Sequence, residues 1–115
     1  MNGFSKQICE ACLPDAPPAT THEINLFLAQ QPNWTLSTDV TFPQIVRVYK
    51  LKDFASALTF SNAIGVLAET EGHHPQITLE YGQVTVKWWS QKIKGLHVND
   101  FILASRTEEL YATYR

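Results

Sequence analysis

The chain has 115 residues, a length that suits one domain with one core. Apolar residues make up 44% and charged residues 17%, a balance that excludes intrinsic disorder, which needs low hydrophobicity and high net charge. Nine Lys+Arg against 11 Asp+Glu give a formal net charge of −2, so the whole-chain basic footprint of a nucleic-acid binder is absent.

Residues 1–20 read as an irregular arm, with Pro14, Pro17 and Pro18 inside "LPDAPPATT". This arm has no apolar run of the kind a secretory signal carries, and no stretch of the chain approaches the roughly 18 apolar residues of a membrane span. Cys9 and Cys12 form a lone C-x-x-C. Two cysteines are too few for a disulfide framework, and no second pair completes a zinc site, so they read as small apolar residues of a cytoplasmic protein.

A single domain is expected over 21–115. Thr20-x-x-Glu23 is a capping-box pattern, followed by Ile24, Phe27 and Leu28 on one helical face and by Pro32 as a stop. Trp34 to Ser37 alternates as a half-buried strand, "TDVTFPQ" reads as a loop, and Ile45 to Leu51 reads as a second strand. Asp53 can cap a long helix whose apolar stripe runs from Phe54 through Ala57, Leu58, Ile64 and Gly65 to Ala68, with Gly72 as its stop. The stripe is broad enough to suggest a helix–helix partner. Ile77, Leu79 and Tyr81, then Val84, Val86 and Trp88, alternate on either side of a short turn at Gly82, the pattern of a hairpin. A last helix runs from about Val98 to Tyr114, with Leu103, Leu110 and Tyr114 among its core candidates. The expected class is α+β, in the order α-β-β-α-β-β-α, with a four-stranded, mostly antiparallel sheet and helices packed on one face.

Unusual residues concentrate between Glu69 and Asp100. His73 and His74 stand between a helix end and a strand, followed by Pro75. Histidine titrates near neutrality, and the pair suits general acid–base work. Pro75 favours extended backbone before it, so the two imidazoles should diverge, one into a pocket and one at its rim. A solvated pair, or one that caps the preceding helix, is the other reading of these residues. Metal chelation fits less well, since adjacent histidines rarely share one ion. Glu69 lies one turn before His73 and either orients an imidazole or stays solvated. Asp100, with His97 as N-cap, falls at N3, where a carboxylate satisfies free amides and the helix dipole. Trp88 and Trp89 face opposite sides of their strand, one for the core and the other for a flat ligand or an interface.

The spacing Glu69-x3-His73-His74-Pro75-x5-Tyr81-x9-Gln91-x8-Asp100 resembles the signature of the pterin-4a-carbinolamine dehydratases, also called 4a-hydroxytetrahydrobiopterin dehydratases. The segments "EGHHP", "VTVKWWS", "KGLHVNDFILA" and "CEAC" resemble bacterial members, and the likeness covers essentially the whole chain. It implies loss of water from a 4a-hydroxytetrahydropterin to give quinonoid dihydropterin, with no metal and no organic cofactor. It implies His73 as an acid–base histidine, His74 as a pterin-positioning one, and Glu69, Pro75 and Asp100 as accessory positions, with Trp89 beside them. Gln91 departs from the family pattern, which usually places the other acid–base histidine there and in some members a tryptophan. Glutamine can hydrogen-bond but cannot titrate. The resemblance also implies a homodimer or homotetramer, assembled through the long helix. The alternative function is a catalytically weak pterin-binding or regulatory protein of the same fold.

Overall fold

The computed structural model describes residues 17–38 and 42–115. Cys9, Cys12 and most of the expected arm lie outside the described residues, as does the middle of the "TDVTFPQ" loop. The elements run α1 (Thr21–Gln30), β1 (Thr35–Ser37), β2 (Gln44–Lys50), α2 (Phe54–Glu71), β3 (Gln76–Glu80), β4 (Gln83–Trp88) and α3 (Val98–Tyr114). The α-β-β-α-β-β-α order read from the sequence is therefore the order of the structure. All three strand pairings are antiparallel, and the sheet order is β1-β2-β4-β3.

Local chemistry sets each helix boundary. The Thr20 hydroxyl accepts from the Glu23 amide at 3.1 Å and the Glu23 carboxylate accepts from the Thr20 amide at 2.8 Å, which closes the capping box of α1. Asp53 accepts from the Ser56 amide at 2.8 Å, and this bond holds its carboxyl below the usual range. Gly72 ends α2 in left-handed backbone at φ 67°, a conformation that costs glycine least. The amides of Gly72 and His73 then turn back onto the carbonyls of Glu69 and Ala68, at 3.4 and 3.1 Å. This Schellman closure satisfies two end carbonyls and fixes where His73 leaves the helix.

Ladder register puts Ile45, Arg47 and Tyr49 of β2 opposite Trp88, Val86 and Val84 of β4, all on one face of the sheet. Ile45, Tyr49, Val84, Val86 and Trp88 are fully buried there, against Ala57, Phe60 and Ile64 of α2 and Phe101 and Leu103 of α3. Phe27 of α1 joins them by stacking on Phe101, with ring centroids 4.8 Å apart. Arg47 is the polar member of the core-facing row. It donates to Glu108 at 2.8 Å and its guanidinium lies 4.2 Å from the Tyr49 ring centroid, so charge pairing and ring contact replace lost water. Burial, reinforced by the Glu108 carboxylate, pushes the Tyr49 phenol far above its ordinary range, so this ring acts as core and not as an acid.

One strand ends earlier than its alternation suggests. Tyr81 is 75% exposed and belongs to the turn, because Gly82 at φ 69° already reverses the chain. A Cβ at Gly82 would also meet the Leu51 carbonyl at 3.2 Å, so this turn wants glycine for space as well as for backbone. The broad stripe of α2 divides. Ala57, Ile64 and Ala68 go to the core with Phe60, while Phe54 and Leu58 stay exposed, as does Val66, which the stripe did not include.

Candidate active site

Three elements converge at one end of the sheet: the C-terminal end of α2, the segment after β4, and the N-terminus of α3. The Gly72 closure delivers His73 inward. Its imidazole stacks nearly parallel on Trp88, with centroids 5.7 Å apart and 11° between planes. His73 Nε2 lies 2.6 Å from Asp100 Oδ1. The His73 side chain is 10% exposed and the Asp100 side chain 0%. A carboxylate only accepts, so Nε2 carries the proton and Nδ1 is left as the ring's second functional atom.

Asp100 sits at N3 of α3, where the helix-dipole argument places it, and it does more than cap. Its Oδ2 accepts from the His97 amide at 2.9 Å and from the Ser90 hydroxyl at 2.8 Å. His97 in turn accepts the Asn99 amide on Nδ1 at 3.0 Å. The carboxylate is therefore buried with three donors on its two oxygens, the condition under which burying a charge is tolerable. Asp100 therefore caps α3, as its N3 position suggests, and also meets the His73 imidazole, a contact the sequence had offered to Glu69.

His74 points the other way, as the extended backbone before Pro75 requires. Its Nε2 lies 2.9 Å from Glu69 Oε1, with side-chain exposures of 64% and 82%. Glu69 thus meets His74 and not His73, although it stands one turn before His73. The Gly72 closure breaks the helical period between them. Pro75 is half-buried and leads into β3.

Trp88 is core, and Trp89 on the opposite side is half-buried, 6.2 Å from Phe42 ring to ring. The Trp89 indole donates to Gln91 Oε1 at 2.8 Å. Gln91 opens an exposed turn over 91–94, closed at its base by paired Ser90 and Gly95 backbones at 2.7 and 3.3 Å. Gln91 is therefore the chain neighbour of a residue bonded to Asp100, with its own amide oxygen engaged by Trp89. Ser90 carried no signal in the sequence. A serine in a strand-end motif is unremarkable until the fold sets it against a carboxylate ten positions away. Among the described residues no group of three His, Cys, Asp or Glu is placed to hold a metal ion.

This geometry can be set against known proteins. The family model described as pterin 4 alpha carbinolamine dehydratase matches residues 17–110. The chain belongs to that family. Three bacterial relatives share the name "Putative pterin-4-alpha-carbinolamine dehydratase". The protein of Nitrosococcus oceani is 50% identical over 96% of this chain and 97% of its own length. That of Syntrophotalea carbinolica is 49% identical over 96% and 98%, and that of Marinobacter nauticus 48% over 96% and 100%. A crystal structure described as a transcriptional coactivator/pterin dehydratase from Brucella melitensis superposes with a TM-score of 0.75 at 25% identity, covering 83% of this chain and 99% of that one. A pterin dehydratase-like protein described as a RuBisCO assembly factor in the alpha-carboxysome shares the fold, with a TM-score of 0.58 at 20% identity over 69% of this chain and 92% of that one. As a pterin 4 alpha carbinolamine dehydratase family member, the chain carries its histidine pair on that fold, with Gln91 in the exposed turn. No helix among the described residues is long and apolar enough to cross a membrane.

Proposed function

We propose that this chain is a cytoplasmic hydro-lyase that removes water from a 4a-hydroxytetrahydropterin, yielding quinonoid dihydropterin, through a single domain over 21–115. The observation that carries the reading is the buried His73–Asp100 pair, at 2.6 Å beside Ser90. The reaction needs a proton on the departing C4a hydroxyl, which leaves as water, and removal of the N5 proton. One histidine of fixed tautomer can exchange both protons in turn through Nδ1. Asp100 stabilises its imidazolium form and holds its orientation. His74, with Glu69 on its Nε2, is an exposed donor–acceptor group suited to positioning a pterin. Gln91 can hydrogen-bond the same substrate without titrating, and Trp89 and Pro75 are assigned to accessory substrate contact. No metal or organic cofactor takes part in this scheme.

Stopped-flow dehydration of enzymatically generated 4a-hydroxytetrahydropterin tests it. Acceleration over the uncatalysed rate is expected, with about a 10²–10⁴-fold loss in His73→Ala. Pterin binding without acceleration would instead establish the weak-binding or regulatory reading. What favours that second reading is Gln91, a non-titrating side chain whose amide oxygen is already taken by Trp89.

A homodimer or homotetramer through α2 belongs to the same proposal. Phe54, Leu58 and Val66 are 45%, 41% and 67% exposed, spaced by multiples of four residues along α2. Val66 also lines a recess of about 390 Å³ between α2 and α3, together with Ala63, Leu67 and Leu110 and with Arg106 and Glu109. Such a ridge and recess suit a symmetric contact with a second copy. Sedimentation should give an oligomer at micromolar concentration and a smaller species for Val66→Asp; a wild-type monomer would refute it.

A further inference from the structure

The dehydratase reading assigns roles to His73 and Asp100 and none to Ser90. Ser90 is 8% exposed, and its hydroxyl donates to Asp100 Oδ2 at 2.8 Å. Its backbone is held independently of that bond, by the pairing with Gly95 that closes the 91–94 turn. The hydroxyl therefore reaches Asp100 from a fixed platform. The second donor on Oδ2, the His97 amide, is equally fixed by the N-cap of α3. Two donors from two elements clamp one oxygen and leave the other, Oδ1, facing His73 Nε2.

We propose that Ser90 is a positioning residue that acts on His73 through Asp100. It sets the carboxylate's rotamer, and by withdrawing electron density from Oδ2 it moderates how strongly Asp100 retains the His73 proton. A carboxylate with fewer donors is a stronger acceptor, so loss of the Ser90 hydroxyl favours the charged imidazolium. Asp100 is the carboxylate bonded to His73. Of the acidic groups on α2, Glu69 is engaged with His74, and Glu71 lies 3.4 Å from Arg106. Trp88, the ring stacked on His73, carries no charge. The inference rests on the dehydratase reading for its consequence in rate, but its effect on His73 is independent of turnover.

The test compares wild type, Ser90→Ala and Ser90→Thr, using imidazole ¹⁵N NMR of His73 across pH alongside the dehydration assay. In Ser90→Ala the His73 ¹⁵N signals should move toward those of the charged imidazolium relative to wild type at the same pH. The kcat should fall about three- to tenfold, with KM within about twofold. Ser90→Thr, which keeps the hydroxyl, should restore both. A His73 titration and tautomer signature identical in folded Ser90→Ala and wild type would overturn the proposal. So would a shift that Ser90→Thr fails to reverse. If wild type proves inactive, the dehydratase reading fails alone, and the NMR comparison still decides the role of Ser90.

Discussion

His73 and His74 are adjacent in the chain, and each meets a carboxylate through Nε2, at 2.6 and 2.9 Å. Their surroundings differ almost completely. The first pair is 10% and 0% exposed, and the second 64% and 82%. In water-like surroundings a close ion pair is worth ~1 kcal/mol, and several times more where water is displaced. The exposed pair also has to order two side chains that solvent would otherwise hold in many rotamers. The same chemical partnership is therefore a loose surface contact at 74 and a fixed geometric element at 73. What separates them is the left-handed residue at Gly72, which turns the chain so that one imidazole goes under α3 and the next stays outside.

The contrast breaks most severely at Asp100. Asp100→Asn keeps the volume but removes the charge that holds the Nε2–H form of His73. We expect kcat for dehydration to fall at least about 10²-fold, the scale of a histidine left in the wrong tautomer. Chemical denaturation should show a loss of roughly 1.5–3 kcal/mol, the worth of hydrogen bonds to a charged group. An unchanged rate would mean that the buried pair is scaffolding only.

A gain is expected at Gln91. Gln91→His supplies a titrating group at the exposed turn, and kcat should rise at least about tenfold, a barrier change of roughly 1.4 kcal/mol, with little change in KM. The wild-type rate should show one ionisation against pH, and the variant two coupled ones. A flat or reduced rate would mean that glutamine already holds a useful water. His74→Ala should raise KM a few-fold and leave kcat within about threefold, measured in the same assay. The smallest effect is expected at Glu69. Glu69→Gln should change folding stability by less than about 1 kcal/mol, and that loss should shrink in high salt.

Local rules carried much of the fold. The Thr20–Glu23 box, the Asp53 cap, the Gly72 stop and the Gly82 turn were legible because each is decided within four residues. The strand order was not, since nothing local says that β4 lies between β2 and β3. The divergence of His73 and His74 was legible from Pro75, but which of them turns inward depends on the helix closure. Glu69 was placed by turn counting, which stops being valid once the chain leaves the 3.6-residue period. Ser90 could not be found at all from the sequence. Its contact with Asp100 spans a turn whose closure at Gly95 is a tertiary fact.

The closed base of the 91–94 turn has a consequence for how such a chain can evolve. Residues beyond the Ser90–Gly95 bridge sit outside the ladder and outside the core, so replacing Gln91 disturbs neither. Surface changes of that kind usually fall within about half a kcal/mol. Selection can therefore alter the chemistry offered at this turn while the scaffold stays as stable as before. One neighbour inward, at Ser90, the same freedom ends.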